Sequence, residues 1–219
     1  MNLPDPDILS PEAELALAWT PPMLRAALTT ALQLDRRLAR IAARTTETML
    51  GQMRLAWWRD ALSKPVGERP RGDVVLDGLG EHWAGREAAL IAMVDGWEVL
   101  VSAETLGPAE IASFGQQRGA FFRALVTDCT GTEAERIAAA AFRWALADVV
   151  LGVSDAIERS MVIDTALSRL GGGGRLPKTL RGLAVLEALA LRALRRGGRP
   201  LMEGRGAPLT AIRAAIFLT

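Results

Sequence analysis

Apolar residues in this chain recur at spacings of three and four along nearly its whole length, and nowhere alternate at a period of two. That spacing gives a helix one apolar face and leaves no strand with one side to bury, so the chain is confined to an all-α fold. Ala and Leu dominate the composition, and both carry high helix propensity. At 219 residues, one large helical domain is the expected architecture.

Residue usage excludes several chemistries. A single cysteine, Cys129, rules out a disulfide framework and a cysteine-based zinc site. A single histidine, His82, disfavours a His-ligated metal centre and a Ser-His-Asp triad. His82 beside Trp83 reads as an exposed residue in a polar connector, and Cys129 as a structural thiol. Lys+Arg 26 against Asp+Glu 25 gives a net charge of +1, so nucleic acid is not an expected partner. No apolar run approaches the roughly 18 residues of a spanning helix. The opening MNLPDPDILSPEAE is acidic and Pro-rich, unlike a signal peptide. A cytoplasmic location is expected, with peripheral contact at the inner face of the membrane as an option.

Residues 1–20 read as an acidic, Pro-rich lead-in and 21–219 as the helical domain. The first long helix is predicted over 22–45, with Thr20 as N-cap and Pro21-Pro22 opening it. Others follow over 46–62, 73–80, 85–104 and 108–128. Thr132 to Glu135 resembles a capping box and opens a helix to about residue 153. Ser154 caps a segment to 170, the glycines 171–174 make a hinge, and helices over 176–196 and 209–218 close the chain. The total is a single-domain bundle of about eight helices.

The most distinctive run is Arg54-x-x-Trp57-Trp58-Arg59-x-x-Leu62. On a helix Arg54, Trp57, Trp58 and Ala61 share a face. Arg54 can then lie over the Trp58 ring, a contact of about 0.5–2 kcal/mol. The plainer reading is that both tryptophans are buried structural residues. This run resembles the squalene/phytoene synthase family, whose members are all-α with the isoprenoid-synthase fold. Residues 89–100 are similar to that family's Asp-Gly helix, and 110–125 to the small-residue helix after it. Gly174-Arg175-Leu176-Pro177 looks like a shortened form of its Gly-Arg-x-Tyr-Leu-Pro segment. The resemblance covers about 26–216.

The resemblance implies a chemistry and also a departure from it. The family uses two Asp-x-x-x-Asp helices whose carboxylates jointly hold Mg²⁺ and, through it, a diphosphate leaving group. At the first expected position Asp35 is followed four residues on by Ala39. At the second, Asp148 and Asp155 are seven apart, about 10 Å along a helix, too far to share one ion. Asp73-x-x-x-Asp77 has the spacing, but reads as a helix N-cap and a solvated turn residue. Asp95 with Glu98 is an acidic pair on an apolar helix, with an ion pair to an arginine as the plainer alternative. The chain has no tyrosine at all. It therefore looks most like branches that keep the fold without the metal motifs, among them an assembly factor for respiratory complex I and its bacterial relatives.

The expectation is thus a non-catalytic protein that binds an isoprenoid or other lipid, or assists the assembly of a protein partner. The alternative is an active prenyltransferase joining two prenyl diphosphates, with Mg²⁺ as cofactor; the leading reading needs no cofactor and no catalytic or metal-ligating residue. Candidate ligand-binding residues are Arg54, Trp57, Trp58, Asp95, Glu98 and Arg175. The charge is also uneven. From Arg175 onward nine basic and two acidic residues give +7, against −6 for the rest. On the 176–196 helix Leu176, Leu180, Leu183, Ala190, Leu191 and Leu194 cluster on one side, and Lys178, Arg181, Arg192 and Arg196 on the other. Those four are candidates for contact with an anionic membrane surface. Glu187, amid the apolar side, implies a buried partner within the protein.

Overall fold

The computed structural model describes residues 8–45, 47–169 and 174–218. These form ten α-helices and three short 3₁₀ turns, with no strand among the described residues. The all-α expectation holds; the count exceeds eight. In order the helices are α1 (Pro11–Ala18), α2 (Pro22–Arg44), α3 (Thr48–Ser63), α4 (Val74–His82), α5 (Glu87–Ser102), α6 (Pro108–Ala124), α7 (Gly131–Val149), α8 (Ala156–Ser168), α9 (Arg181–Leu194) and α10 (Gly206–Phe217). Gly171, Gly172 and Gly173 of the predicted hinge, Thr46 at the predicted start of the second helix and residues 1–7 of the acidic opening lie outside the described residues.

Packing runs as a chain of neighbours. α3 lies on α5, α5 on α6, α6 on α7, α7 on α9, and α9 on α10 and α1. α9 is the most enclosed helix, with ten of its residues buried from Gly182 to Leu194. Its approach to α1 is close because residue 182 has no Cβ. A Cβ there would meet the Ala16 carbonyl oxygen at 2.6 Å and the Thr20 hydroxyl at 2.5 Å.

Several helix ends differ from expectation, each because a nearby group competes for the same role. Thr20 does not cap α2; its buried hydroxyl donates to the Ala16 carbonyl at 2.8 Å, finishing α1, and Pro21 holds the N-cap position. α1 itself is an addition, packed on α9 and α2 within the segment read as a lead-in. The capping box is Thr130/Glu133, two residues before the predicted start. The Glu133 N–H donates to Thr130 Oγ1 at 3.2 Å, and Glu133 Oε2 accepts from the Thr130 N–H at 2.9 Å. The Thr130 N–H and hydroxyl, both donating to Glu133 Oε2, hold that carboxyl below its ordinary range. Asp155, not Ser154, caps α8 by accepting from Ile157 and Glu158 N–H groups. That role accounts for one carboxylate of the suspected second acidic motif. Asp73 caps α4 as expected, and Asp77 is exposed.

The predicted 176–196 helix is shorter. Pro177 is extended (φ −52°, ψ 143°), a 3₁₀ turn covers Lys178–Leu180, and α9 begins only at Arg181. Lys178 is therefore off the α9 face that carries Arg181 and Arg192. The polar connector at 82–83 is also revised. His82 ends α4 half-buried, and Trp83 is fully buried, its Nε1–H donating to the Ala27 carbonyl at 2.8 Å. Cys129 is a half-buried free thiol.

Candidate functional site

The centre of the molecule is a buried arginine. Arg118 of α6 lies on the face that also carries Phe114, Gly115, Phe121 and Phe122, all buried. α6 approaches its neighbours closely through small residues: a Cβ on Gly96 of α5 would be 3.0 Å from the Arg118 backbone nitrogen, and one on Gly119 would be 2.9 Å from the Ala141 Cβ of α7. The guanidinium is thus enclosed by three helices. Its Nε–H donates to Asp35 Oδ1 at 2.8 Å and its Nη2 to Asp35 Oδ2 at 2.7 Å. The same Nη2 donates to Asp148 Oδ2 at 2.5 Å, and Nη1 donates to the Ala145 carbonyl at 2.8 Å. Trp97 adds a further donor, Nε1–H to Asp35 Oδ1 at 2.8 Å. The rings of Trp144, Trp97 and Phe114 surround the cation at 4.5, 4.7 and 5.6 Å.

Burial alone would lower the Arg118 pKa; the carboxylates of Asp35 and Asp148 outweigh it and raise the value, so the group stays charged. Asp35 is buried, whereas the Asp148 side chain keeps about a third of its surface exposed, 32%. Asp148 forms part of the wall of a cleft of about 590 Å³. The cleft lies between α2, α5, the turn after α5 and the end of α7. Ala39, Ala42, Trp97, Leu100, Leu106 and Val153 supply apolar walls, and Arg36, Glu104, Asp148 and Glu158 the charges. Glu158 Oε1 accepts from the Leu106 N–H at 2.8 Å, tying that turn to α8.

Asp35, at the first acidic position the resemblance implies, and Asp148, one of the carboxylates at the second, meet at one guanidinium. Arg118 itself is not anticipated. Its signal is the pattern at i−4, i−3, i+3 and i+4, Phe114, Gly115, Phe121 and Phe122: an arginine on the apolar face of its own helix needs a buried anion.

The six ligand-binding candidates lie elsewhere; none lines this cleft. Arg54 is exposed, and the cation over the Trp58 ring is Arg37 of α2, at 5.8 Å. The Arg54–Trp58 pair is corrected because α3 buries Trp58 and leaves Arg54 outside. Trp57 is 45% exposed, against the expectation of burial, and meets Trp58 edge-on at 5.1 Å. Asp95 and Glu98 both bind Arg59 of α3, which donates Nε–H to Asp95 at 2.7 Å. The pair is therefore an interhelical ion pair, the plainer of the two readings. Arg175 is exposed, beside Leu176, whose N–H donates to the Leu218 carbonyl. Trp58→Ala is expected to cost about 3–5 kcal/mol in urea unfolding. Trp57→Ala should cost roughly 1 kcal/mol, its edge contact; equal losses would contradict this division.

Of the four candidate membrane-surface residues, Lys178 and Arg196 are exposed and Arg181 is half-buried. Arg192 donates to the Glu203 carbonyl at 2.9 Å, and Arg196 pairs with the Glu203 carboxylate at 3.6 Å. Among the described residues no helix is long and apolar enough to cross a membrane.

The donor set does not suit a divalent cation. Both oxygens of Asp35 are taken by Arg118, a guanidinium lies between Asp35 and Asp148, and the described residues contain no group of three acidic, histidine or cysteine ligands. No protein-family model, curated protein or solved structure matches this chain.

Proposed function

We propose that this chain is a non-catalytic protein of the isoprenoid-synthase type that holds an elongated, uncharged prenyl or other lipid chain in the cleft beside Asp148. The observation that carries the reading is Arg118: where the resemblance expects two carboxylates to converge on Mg²⁺, Asp35 and Asp148 converge on an arginine of the chain itself. A fixed guanidinium supplies the positive charge that the carboxylates require but cannot collect the oxygens of a diphosphate in place of water, as a hydrated cation does. The apolar walls suit a hydrocarbon chain. Glu104, Asp148 and Glu158 against Arg36 give the cleft a negative balance, which disfavours a diphosphate head.

Incubation with Mg²⁺ and farnesyl or geranylgeranyl diphosphate is expected to yield no squalene- or phytoene-type product. Turnover abolished by EDTA would overturn the non-catalytic reading. Geranylgeraniol is expected to change the tryptophan emission, because Trp97 lines the cleft, and to bind more tightly than its diphosphate. Ala43→Trp, at an exposed wall position, should weaken that binding without moving Tm; unchanged affinity would remove the cleft from the reading.

A further inference from the structure

In α10 the usual order of burial is reversed. Its small residues Ala207, Ala211, Ala214 and Ala215 face inward, packed toward α9. Its large apolar residues face out: Leu209 is 71% exposed, Ile216 57%, Phe217 52% and Ile212 45%. At 100° per residue the alanines and the large residues occupy opposite sides of the helix. A helix whose only requirement was docking on the bundle would bury the larger side chains. Beside this face runs a groove between α9 and α10 lined by Arg192, Arg195, Arg196 and Arg213. From 188 to 218 there are six arginines and one acidic residue, Glu203. Glu203 is already engaged by Arg196 and by Arg199, whose Nε–H donates to it at 2.9 Å.

We infer that α10 is a membrane-docking helix: it lays Leu209, Ile212, Ile216 and Phe217 into the interface of an anionic lipid surface while the flanking arginines engage the headgroups. This goes beyond ligand binding in the cleft and does not depend on it. The face is a convex helix surface, which lipid chains accommodate without a preformed groove. Arg213 shares the apolar arc, and an arginine there can bury its methylenes while its guanidinium reaches the phosphates. A second copy of the chain is a poor occupant, because a two-fold contact would bring the same arginine array against itself. An anionic bilayer satisfies the apolar stripe and the charge together.

The test is co-sedimentation of the full chain with vesicles. Binding is expected to vesicles of phosphatidylcholine with equal phosphatidylglycerol, and far less to phosphatidylcholine alone. It should fade toward about 0.5 M salt, where the Debye length is about 4 Å. The variant Arg195→Gln/Arg196→Gln/Arg213→Gln should lose about fivefold in affinity per charge, roughly a hundredfold in all. The variant Leu209→Ser/Ile216→Ser/Phe217→Ser alters exposed positions only, so its Tm should hold while binding falls even at low salt. Wild-type protein that ignores anionic vesicles at low salt would overturn the inference. So would a serine variant that binds like wild type, or a concentration-dependent dimer that the serine variant abolishes, which would assign the face to a second copy. Should the serine variant fail to fold, the glutamine variant decides.

Discussion

Arg118→Met is expected to lower the free energy of unfolding by about 3–5 kcal/mol, a large fraction of the stability of a domain this size. The change keeps a long apolar side chain of similar reach, so the loss does not come chiefly from a cavity. It comes from Asp35, whose buried carboxylate would keep only the Trp97 Nε1–H of its present side-chain donors. Asp148 is partly exposed and can turn to water, so Asp148→Asn should cost much less, about 1 kcal/mol. The control is the double variant Arg118→Met/Asp35→Leu. Replacing both charges by apolar groups of similar size should recover much of the loss, as removal of a whole buried ion pair often does. Recovery would be incomplete, because Trp97 Nε1–H would be left without its acceptor, a cost of about 1–3 kcal/mol. Urea unfolding followed by far-UV circular dichroism measures all four proteins. A loss under about 1 kcal/mol in Arg118→Met would mean that water reaches Asp35, and the account of a buried carboxylate dependent on Arg118 would fail.

How legible the molecule was depended on whether a signal was local. Periodicity gave the helices, because each apolar stripe is written within its own segment. Asp73 was readable as a cap because its acceptors lie two and three residues on. Thr20 and Thr132 are not readable in that way: the Thr20 hydroxyl can serve the end of α1 or the start of α2, Thr130 and Thr132 offer two hydroxyls for one cap, and only the geometry decides. α1 is not legible in the sequence because its apolar residues are mostly small and its burial depends on Gly182 of α9, far along the chain. At the site, the resemblance points to Asp35 and, beside Asp155, to Asp148. The meeting of Asp35 with Asp148 is not legible, because 113 residues separate them and Arg118 belongs to a third helix. The exposure of Trp57 is hidden for a related reason: adjacent helical residues point about 100° apart, so one of the pair can leave the core while the other fills it.

Glu187 shows the opposite case, a buried partner inferred from one charge on an apolar face. It is buried in α9 and accepts from Arg136 at 2.9 and 2.5 Å and from Arg143 at 2.6 Å, both on α7. Arg136 and Arg143 are seven residues apart, two turns, and so present one face of α7 to it. Each also reaches a carbonyl at one end of the segment 170–173: Arg136 donates to Gly174 at 3.2 Å, and Arg143 to Arg169. The carboxylate therefore fixes two arginines that in turn hold the flanks of that segment. Glu187→Ala is expected to cost about 3–5 kcal/mol, since the buried Arg136 and the half-buried Arg143 would lose their anion. Glu187→Gln keeps an acceptor but not the charge, so it should lie between wild type and Ala. Trypsin adds a readout that general destabilisation alone would not concentrate at one place. Under native conditions, cleavage after Arg169 should accelerate more than cleavage at the exposed Arg195 and Arg196. If Glu187→Ala unfolds within about 1 kcal/mol of wild type, or if cleavage rises uniformly over all three arginines, the α7–α9 cluster does not anchor residues 169 and 174.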